Sequence, residues 1–267
     1  MTEWRIICDQ AQKGPVNMAT DLALLQSCNE GLSGPTLRLY GWSGISVTLG
    51  YAQSEKDQIE EELCRSLNIP ISRRPTGGRA MVHQNELTYS LAAPIPHEQF
   101  PSSLKGAYTA VSRAVENSLR RLGVENILCR AVPPKASGIE RDKFRSPACF
   151  ANLNGHEISF DGKKLTGGAQ RRLKNAFLQQ GSVLLDCDRE FANTLFKFPD
   201  DEAREKNLKI LQDQTISMNE ILNKSLSLEE SILAFKKGFM ETFPGDWNAQ
   251  GLSDWEGNFR DSHMAPI

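Results

Sequence analysis

Residues 73–90 read Arg73-Arg-Pro-Thr-Gly-Gly-Arg-Ala-Met-Val-His83-Gln-Asn-Glu-Leu-Thr-Tyr-Ser90. Arg73, Arg74 and Arg79 flank the Gly77-Gly78 pair, and an alternating, strand-like run follows. Glycines let the backbone approach a ligand with no Cβ in the way and adopt positive φ at little cost. Arginines add charge and fork-shaped donors suited to an anionic or amide-bearing group. Taken alone, the stretch reads as a ligand loop leading into a strand; the fold reading comes from it together with the rest of the chain.

Working outward from it, Trp4 to Cys8 and the runs Thr36–Tyr40 and Ile45–Leu49 alternate as strands do. Between them Asn17 is placed to cap a helix carrying Met18, Leu22, Leu25 and Cys28 on one face. Ser54 to Leu67 is charged and reads as helical, and Val82 to Ala92 reads as one strand. A longer helix follows, with Tyr108, Val111, Val115, Leu119 and Leu122 at helical spacing and Gly123 as its stop. His156–Phe160, Asp161-Gly162 and Lys163 onward form a hairpin signal with a tight two-residue turn. From residue 189 the pattern becomes helical. Ser217 with Glu220 and Ser227 with Glu230 fit capping boxes, and Leu228, Ile232, Phe235 and Phe239 make a core-facing stripe. Residues from Gly245 onward lack apolar periodicity and are expected to fray. The organisation predicted is an α/β catalytic body over 1–188 followed by a helical segment over 189–267 packed on it, the two forming at most one large domain.

The chain has 267 residues, 39% of them hydrophobic, enough over this length for a buried core. A formal net charge of -2 gives no bulk electrostatic reason for nucleic-acid or membrane-surface binding. The six cysteines are scattered with no CxxC pair, and the four histidines sit at no metal-ligand spacing, so zinc is not expected. No apolar run approaches a membrane span, and the N-terminus lacks the plan of a signal peptide. A cytoplasmic protein with reduced thiols is the natural expectation.

A second segment carries the chemistry. Cys149, in Ser146-Pro-Ala-Cys149-Phe150, follows a proline in a loop, while Cys8, Cys28 and Cys129 adjoin strands or a helix face and read as small core residues. Cys149 is either one more such residue or a nucleophile. The lysine pair after the Gly162 turn is either solvated or, because Lys163 and Lys164 point to opposite strand faces, has one member turned inward. A lysine facing a thiol favours the thiolate over a thiol whose usual pKa is about 8.5. The same ammonium can stabilise the oxyanion of a tetrahedral intermediate. A Cys149/Lys164 pair beside a glycine-rich pocket thus suggests acyl transfer through a thioester. His83 is a candidate general base, but with no carboxylate at an obvious spacing a structural, pocket-lining role is favoured.

Together, residues 73–90 and 146–182 resemble the lipoate/octanoate transferase and ligase superfamily, which shares its catalytic fold with biotin protein ligases. The first motif is Arg73 to His83, the lysine motif Gly162-Lys-Lys-Leu-Thr-Gly-Gly-Ala-Gln170, and the following strand Leu178-Gln-Gln-Gly-Ser-Val-Leu-Leu185. Asn17-Met-Ala-Thr-Asp21, Leu37-Arg-Leu-Tyr-Gly-Trp-Ser43 and Leu49-Gly-Tyr51 agree. The resemblance implies an α/β (α+β) fold of mixed, largely antiparallel sheets with flanking helices. The Cys149 segment and Glu86-Leu-Thr-Tyr-Ser90 are similar to the cysteine-dependent octanoyltransferases of the LipM type. That implies Cys149 as the acyl-thioester nucleophile and Lys164 as the amine orienting the carbonyl. Arg73, Arg74, Gly77, Gly78, Arg79 and His83, with Gly167, Gly168 and Ala169, would bind substrate.

The resemblance implies no cofactor. Its implied partners are octanoyl-acyl carrier protein as donor and a lipoyl-domain protein as acceptor, either glycine cleavage H protein or a 2-oxoacid dehydrogenase E2. Because such partners are usually acidic, a local basic face is expected among Arg120, Arg121, Arg130, Lys135, Arg141, Lys143, Arg145, Arg171, Arg172 and Lys174. Alternatives are an ATP-dependent lipoate ligase, an amidotransferase between lipoyl-domain proteins, and a non-catalytic binding protein on the same fold. Two departures stand out: Gly168 replaces a common serine, and Gln84 a common aspartate.

Overall fold

The computed structural model describes residues 1–53, 58–125, 127–129, 147 and 158–264. The chain opens with β1 (Glu3–Cys8), α1 (Gly14–Asn29), β2 (Thr36–Tyr40) and β3 (Ser46–Leu49). It continues through α2 (Glu61–Ser66), β4 (Ile71–Arg73), β5 (Met81–His83), β6 (Glu86–Pro94) and α3 (Leu104–Arg121). Next come β7 (Ile127–Cys129), β8 (Ile158–Phe160), β9 (Lys163–Lys164), β10 (Thr166–Arg172) and β11 (Ala176–Leu184). The remainder is α4 (Arg189–Thr194), α5 (Asp201–Gln214), α6 (Met218–Leu222), α7 (Leu228–Thr242), β12 (Asp246–Ala249) and α8 (Asp254–Ser262).

The main sheet runs β10-β11-β6-β2-β1-β12, antiparallel from β10 to β2 and parallel across β2, β1 and β12. Two smaller sheets, β4-β3-β5 and β7-β8-β9, complete a mixed, antiparallel-rich α/β fold. On one face of the main sheet, Leu37, Leu39, Leu87 and Leu91 share a core with Val111 and Val115 of α3 and Phe235 and Phe239 of α7. On the other, Leu24, Leu25 and Cys28 of α1 pack on Ile7, Ala92 and Leu178. Gly181 on β11 lies opposite Tyr89 on β6, and any Cβ there would run into the Tyr89 ring.

Several local expectations hold. The Asp161-Gly162 turn has both residues at positive φ, 48° and 77°, and joins β8 to β9 as a two-residue hairpin. Both capping boxes form, and Leu119–Gly123 ends α3 as anticipated.

Others need correction. α1 begins at Gly14, three residues before Asn17, with Pro15 in its first turn. Asn17 is instead buried, its amide donating to the Gln12 and Gly41 carbonyls. Leu25 and Cys28 face the core as expected, but Leu24 takes the place read for Leu22. Of the helix read over 54–67, residues 54–57 lie outside the described residues; among 58–67 the helix is α2, with Ile59 bridging to Phe196 ahead of it. Cys8 is exposed at the end of β1.

The run Val82–Ala92 is not one strand. It breaks at Gln84-Asn85, where the Asn85 carbonyl accepts the Leu185 and Asp186 amides and the Gln84 side chain pairs with the Asp188 backbone. That break sends β5 into a small sheet and β6 into the large one.

Residues 245–264 are also ordered. Trp247 stacks on Trp4 at 4.6 Å, Phe243 on the same ring at 5.3 Å, and β12 thereby becomes the sheet's outer strand. A third capping box, Ser253 with Glu256, starts α8, and Glu256 is held by Arg5 of β1 at 2.5 Å.

Candidate active site

Where β5 and β6 part, a cavity of about 340 Å³ opens, within the range typical of small-molecule sites. Its walls come from α1 (Met18), β2 and the turn after it (Tyr40, Trp42), the 74–79 loop, β5 (Met81, His83), β6 (Thr88), β10 (Gly167, Gly168, Ala169) and β11 (Gln180, Gly181, Ser182). Arg74, Gly77, Gly78, Arg79, His83, Gly167, Gly168 and Ala169 of the sequence reading are thus brought to one cavity. Arg73 is not among the described lining residues.

Arg73 and Arg74 are engaged with backbone carbonyls. Arg73 Nη1 donates to the carbonyls of Gly50 at 2.9 Å and Gln53 at 2.7 Å. Arg74 Nη2 donates to the Gly77 carbonyl at 2.8 Å and the Arg79 carbonyl at 2.7 Å, while its Nη1 reaches Thr48 Oγ1 at 3.2 Å. Arg74 is buried, so its charge is spread over carbonyl acceptors, and it folds the glycine loop around itself. Gly78, at φ +103°, leaves room for that guanidinium: a Cβ would stand 2.6 Å from Nη2. The loop is tied to the sheet by Thr76 Oγ1 donating to Gln180 Oε1 at 2.7 Å and by Arg171 donating to the Pro75 carbonyl at 3.0 Å.

His83 has the carboxylate partner that spacing did not reveal. Its Nδ1 lies 2.9 Å from Glu86 Oε1, across the Gln84-Asn85 bend, and its Nε2 lies 2.8 Å from Thr48 Oγ1. Thr48 Oγ1 also accepts from Arg74 Nη1, so the imidazole is tied on one side to the arginine of the glycine loop and on the other to Glu86. Glu86 Oε1 also accepts from Thr88 at 2.7 Å and Ser182 at 2.6 Å. The imidazole stacks on Trp42, centroids 3.7 Å apart, and Trp42 Nε1 donates to Thr88 Oγ1. With both nitrogens engaged, His83 is a fixed wall of the cavity rather than a poised base.

Beneath the cavity lies a buried ionic network. Asp21 accepts from Arg38 Nη1 at 2.8 Å, Ser90 at 2.8 Å, Tyr40 at 2.7 Å and Gln180 Nε2 at 2.6 Å. Arg38 is completed by Asp9 and Asn17. Burial would pull the Arg38 pKa down, but Asp21, Tyr40 and Asp9 outweigh it and the value is raised. Burial and the neighbouring Asp21 carboxylate hold the Tyr40 hydroxyl well above its ordinary value, so it acts only as a neutral donor.

Lys164 is fully buried on β9, whereas Lys163 is only half-buried, as strand alternation requires. Its backbone is fixed by Ser159 across the hairpin and by Ile216, whose amide donates to the Lys164 carbonyl at 3.0 Å. It sits three residues before Gly167 and is not itself among the described lining residues. Cys149 lies outside the described residues. Gly168 faces Tyr108 of α3, and a Cβ there would stand 2.5 Å from the hydroxyl oxygen, so the tyrosine takes the space a serine would need.

Of the basic residues proposed for a docking face, Arg120 pairs with Glu116, Arg121 with Glu241, and Arg171 lies over the Tyr51 ring. Arg130, Lys135, Arg141, Lys143 and Arg145 lie outside the described residues. Tyr40, Trp42, Gln180 and Ser182 entered the sequence reading only within matching segments, with no role, and Met18 only within one such segment and on the apolar face of the first helix; the structure puts all five in the cavity wall. Among the described residues no group of three His, Cys, Asp or Glu could hold a metal ion, and no helix is long and apolar enough to cross a membrane.

Residues 13–240 match the family described as the lipoyl protein ligase A/B catalytic domain. The chain belongs to this family. Among its relatives, octanoyltransferase LipM of Brevibacillus brevis is 35% identical over 259 residues, covering 96% of this chain and 92% of the relative. Octanoyltransferase LipM of Bacillus subtilis is 35% identical over 238 residues, covering 88% and 84%. The fold of this lipoyl protein ligase A/B family member is matched by a bi-partite lipoate protein ligase from Thermoplasma acidophilum, with TM-score 0.78, 22% identity and 99% and 92% of the two chains covered. Lipoate-protein ligase A bound with ATP gives TM-score 0.76 at 22% identity, covering 98% and 94%. The cavity of this family member therefore lies in a lipoate protein ligase fold.

Proposed function

We propose that this chain is an acyltransferase of lipoate biosynthesis that moves an octanoyl group onto a lysine of a lipoyl-domain protein. The observation that carries the reading is the end-to-end similarity, at 32–36% identity, to octanoyltransferase LipM relatives. An apolar-walled cavity rimmed by glycine segments supports it, since an acyl chain needs a dry slot and its thioester needs backbone access.

In this reading the thiolate of Cys149 attacks the carbonyl carbon of an octanoyl thioester. A carbon–sulfur bond forms as the donor thiolate leaves and takes a proton. The acceptor's neutral lysine amine then attacks the acyl-enzyme, the Cys149 sulfur departs, and the amine proton passes to it. Lys164 orients the acyl carbonyl and stabilises its oxyanion, a role that suits its full burial on β9. Arg74, Gly77, Gly78 and Arg79 shape the entry, with Gly167, Gly168 and Ala169 on the facing strand, while His83 and Trp42 form the inner wall. The donor is octanoyl-acyl carrier protein in the cytoplasm. Residues 1–188 carry the acyl-handling machinery, and the largely helical part that begins at residue 189 packs on it and supplies β12 to its main sheet. The incoming acyl group is already activated, so the two steps proceed without ATP.

The test is intact mass after incubation with octanoyl-acyl carrier protein in the absence of ATP. A hydroxylamine-labile octanoyl adduct, absent in Cys149→Ala, is expected. No adduct, with modification of a lipoyl domain only when ATP is added, would assign the chain to ligase chemistry.

A further inference from the structure

The cavity has an open and a closed end. Gly77 and Gly78 are exposed and Arg79, Gly168 and Ala169 are partly so, which makes them the mouth. Opposite lie Met18, Tyr40 and Trp42, 5%, 0% and 8% exposed, which form a small apolar cluster of their own. An acyl chain entering at the mouth therefore ends against this cluster.

Behind the cluster an apolar chain cannot continue. Asp21 lies one turn after Met18 on α1, and the fully buried Asp21–Arg38 pair occupies the space beneath. Gln180 Nε2 sits 3.8 Å from the Met18 sulfur while donating to Asp21 Oδ2, so the thioether lies directly over the ionic network. Displacing these groups would leave buried charge and donors unpaired. The members of the closed end also differ in freedom. Tyr40 is fixed by its bond to Asp21, Trp42 by Thr88 and the His83 stack, and Gln180 by Asp21 and Thr76. Met18 contributes an unbranched thioether with three rotatable bonds and one weak sulfur contact.

We infer that the Met18 side chain sets the length of acyl chain the enzyme accepts, an inference that rests on the acyl-transfer reading above and adds its specificity element. Met18 caps the cavity with apolar surface, and its volume decides how far the terminal methyl can go before it meets polar groups. A shorter side chain at 18 leaves space that longer chains fill; a bulkier one shortens the slot.

The experiment offers the purified full-length chain an equimolar mixture of hexanoyl-, octanoyl-, decanoyl- and dodecanoyl-acyl carrier protein and reads the acyl-enzyme distribution by intact mass. One methylene in a hydrophobic pocket is worth about tenfold or more in selectivity. Each pair of neighbouring chains differs by two methylenes, so Met18→Ala is expected to raise decanoyl over octanoyl by at least about tenfold, and Met18→Phe to raise hexanoyl over octanoyl by a similar factor. If Met18→Ala does not fold, Met18→Phe alone decides. Octanoyl uptake with the wild-type distribution in the folded variants would overturn the inference while leaving acyl transfer intact. No acyl adduct of any length on the wild-type chain would overturn the transfer reading, and the inference with it.

Discussion

Asp21→Ala tests the idea that the cavity floor is held by a single buried carboxylate. Asp21 is fully buried and accepts four hydrogen bonds, from Arg38, Ser90, Tyr40 and Gln180. Removing one partner of a buried ion pair costs about 3–5 kcal/mol, because the remaining charge is left without compensation. Arg38 keeps Asp9 and Asn17, which lowers that figure, while three neutral donors lose an acceptor, each worth about 1–3 kcal/mol if left unsatisfied. The two corrections oppose one another, so a net loss of about 4 kcal/mol is expected, a large share of the roughly 5–15 kcal/mol available to a folded protein. For a chain of this size that corresponds to a fall in Tm on the order of 10 °C. Urea unfolding at pH 7 reads the loss as a lowered midpoint with the slope unchanged. Asp21→Ala combined with Arg38→Met should recover part of the loss, because the stranded charge is gone, and the coupling of the two changes should exceed about 0.5 kcal/mol. A loss below about 1 kcal/mol for Asp21→Ala, with no coupling to Arg38, would refute the assignment of the floor to this network.

Gly168→Ser places a side chain against the Tyr108 hydroxyl and shifts a rim strand, so octanoyl transfer should fall about tenfold or more; Tyr108→Phe in the same chain should restore most of it, and no rescue would mean that the contact is irrelevant. Burial pushes the Glu256 carboxyl up, but Arg5, the Ser253 amide and Ser27 outweigh it and hold it below the usual carboxylate range. Its contribution is therefore complete above the unfolded carboxylate pKa and lost as pH falls through the depressed folded value. Acid titration followed by denaturant melts should show that loss in the wild-type chain and a flatter profile in Glu256→Gln. Burial raises the thiols of Cys28 to about 12 and of Cys64 and Cys187 to about 11, and lifts that of Cys8. At pH 8 the thiolate fraction at Cys28, Cys64 and Cys187 is roughly one in a thousand or less, so limited iodoacetamide should label Cys149 first with loss of acyl uptake; faster labelling of Cys64 or Cys187 would contradict the proposed nucleophile.

The sequence by itself determined the features governed by a few neighbouring residues. The Asp161-Gly162 hairpin, the two capping boxes and the end of α3 at Gly123 follow from backbone preferences and hydrogen bonds within one turn of chain. The glycine-arginine loop was recognisable for the same reason, as was the inward turn of Lys164, since strand alternation leaves only two choices. What the tertiary structure decided was partnership. Nothing near Asp21 in sequence announces Arg38, Ser90 and Gln180, and nothing near His83 shows that a break at Gln84-Asn85 will bring Glu86 to its Nδ1. The same holds for Arg73 and Arg74, which look free to meet a ligand but are engaged by carbonyls of their own loop and the 50–53 turn. Trp247 gives no periodic signal, yet stacking on Trp4 holds the C-terminal strand in the sheet. Short-range sterics act along the chain and can be read from it. Burial and ion pairing act through space, between residues that become neighbours only once the sheets have formed.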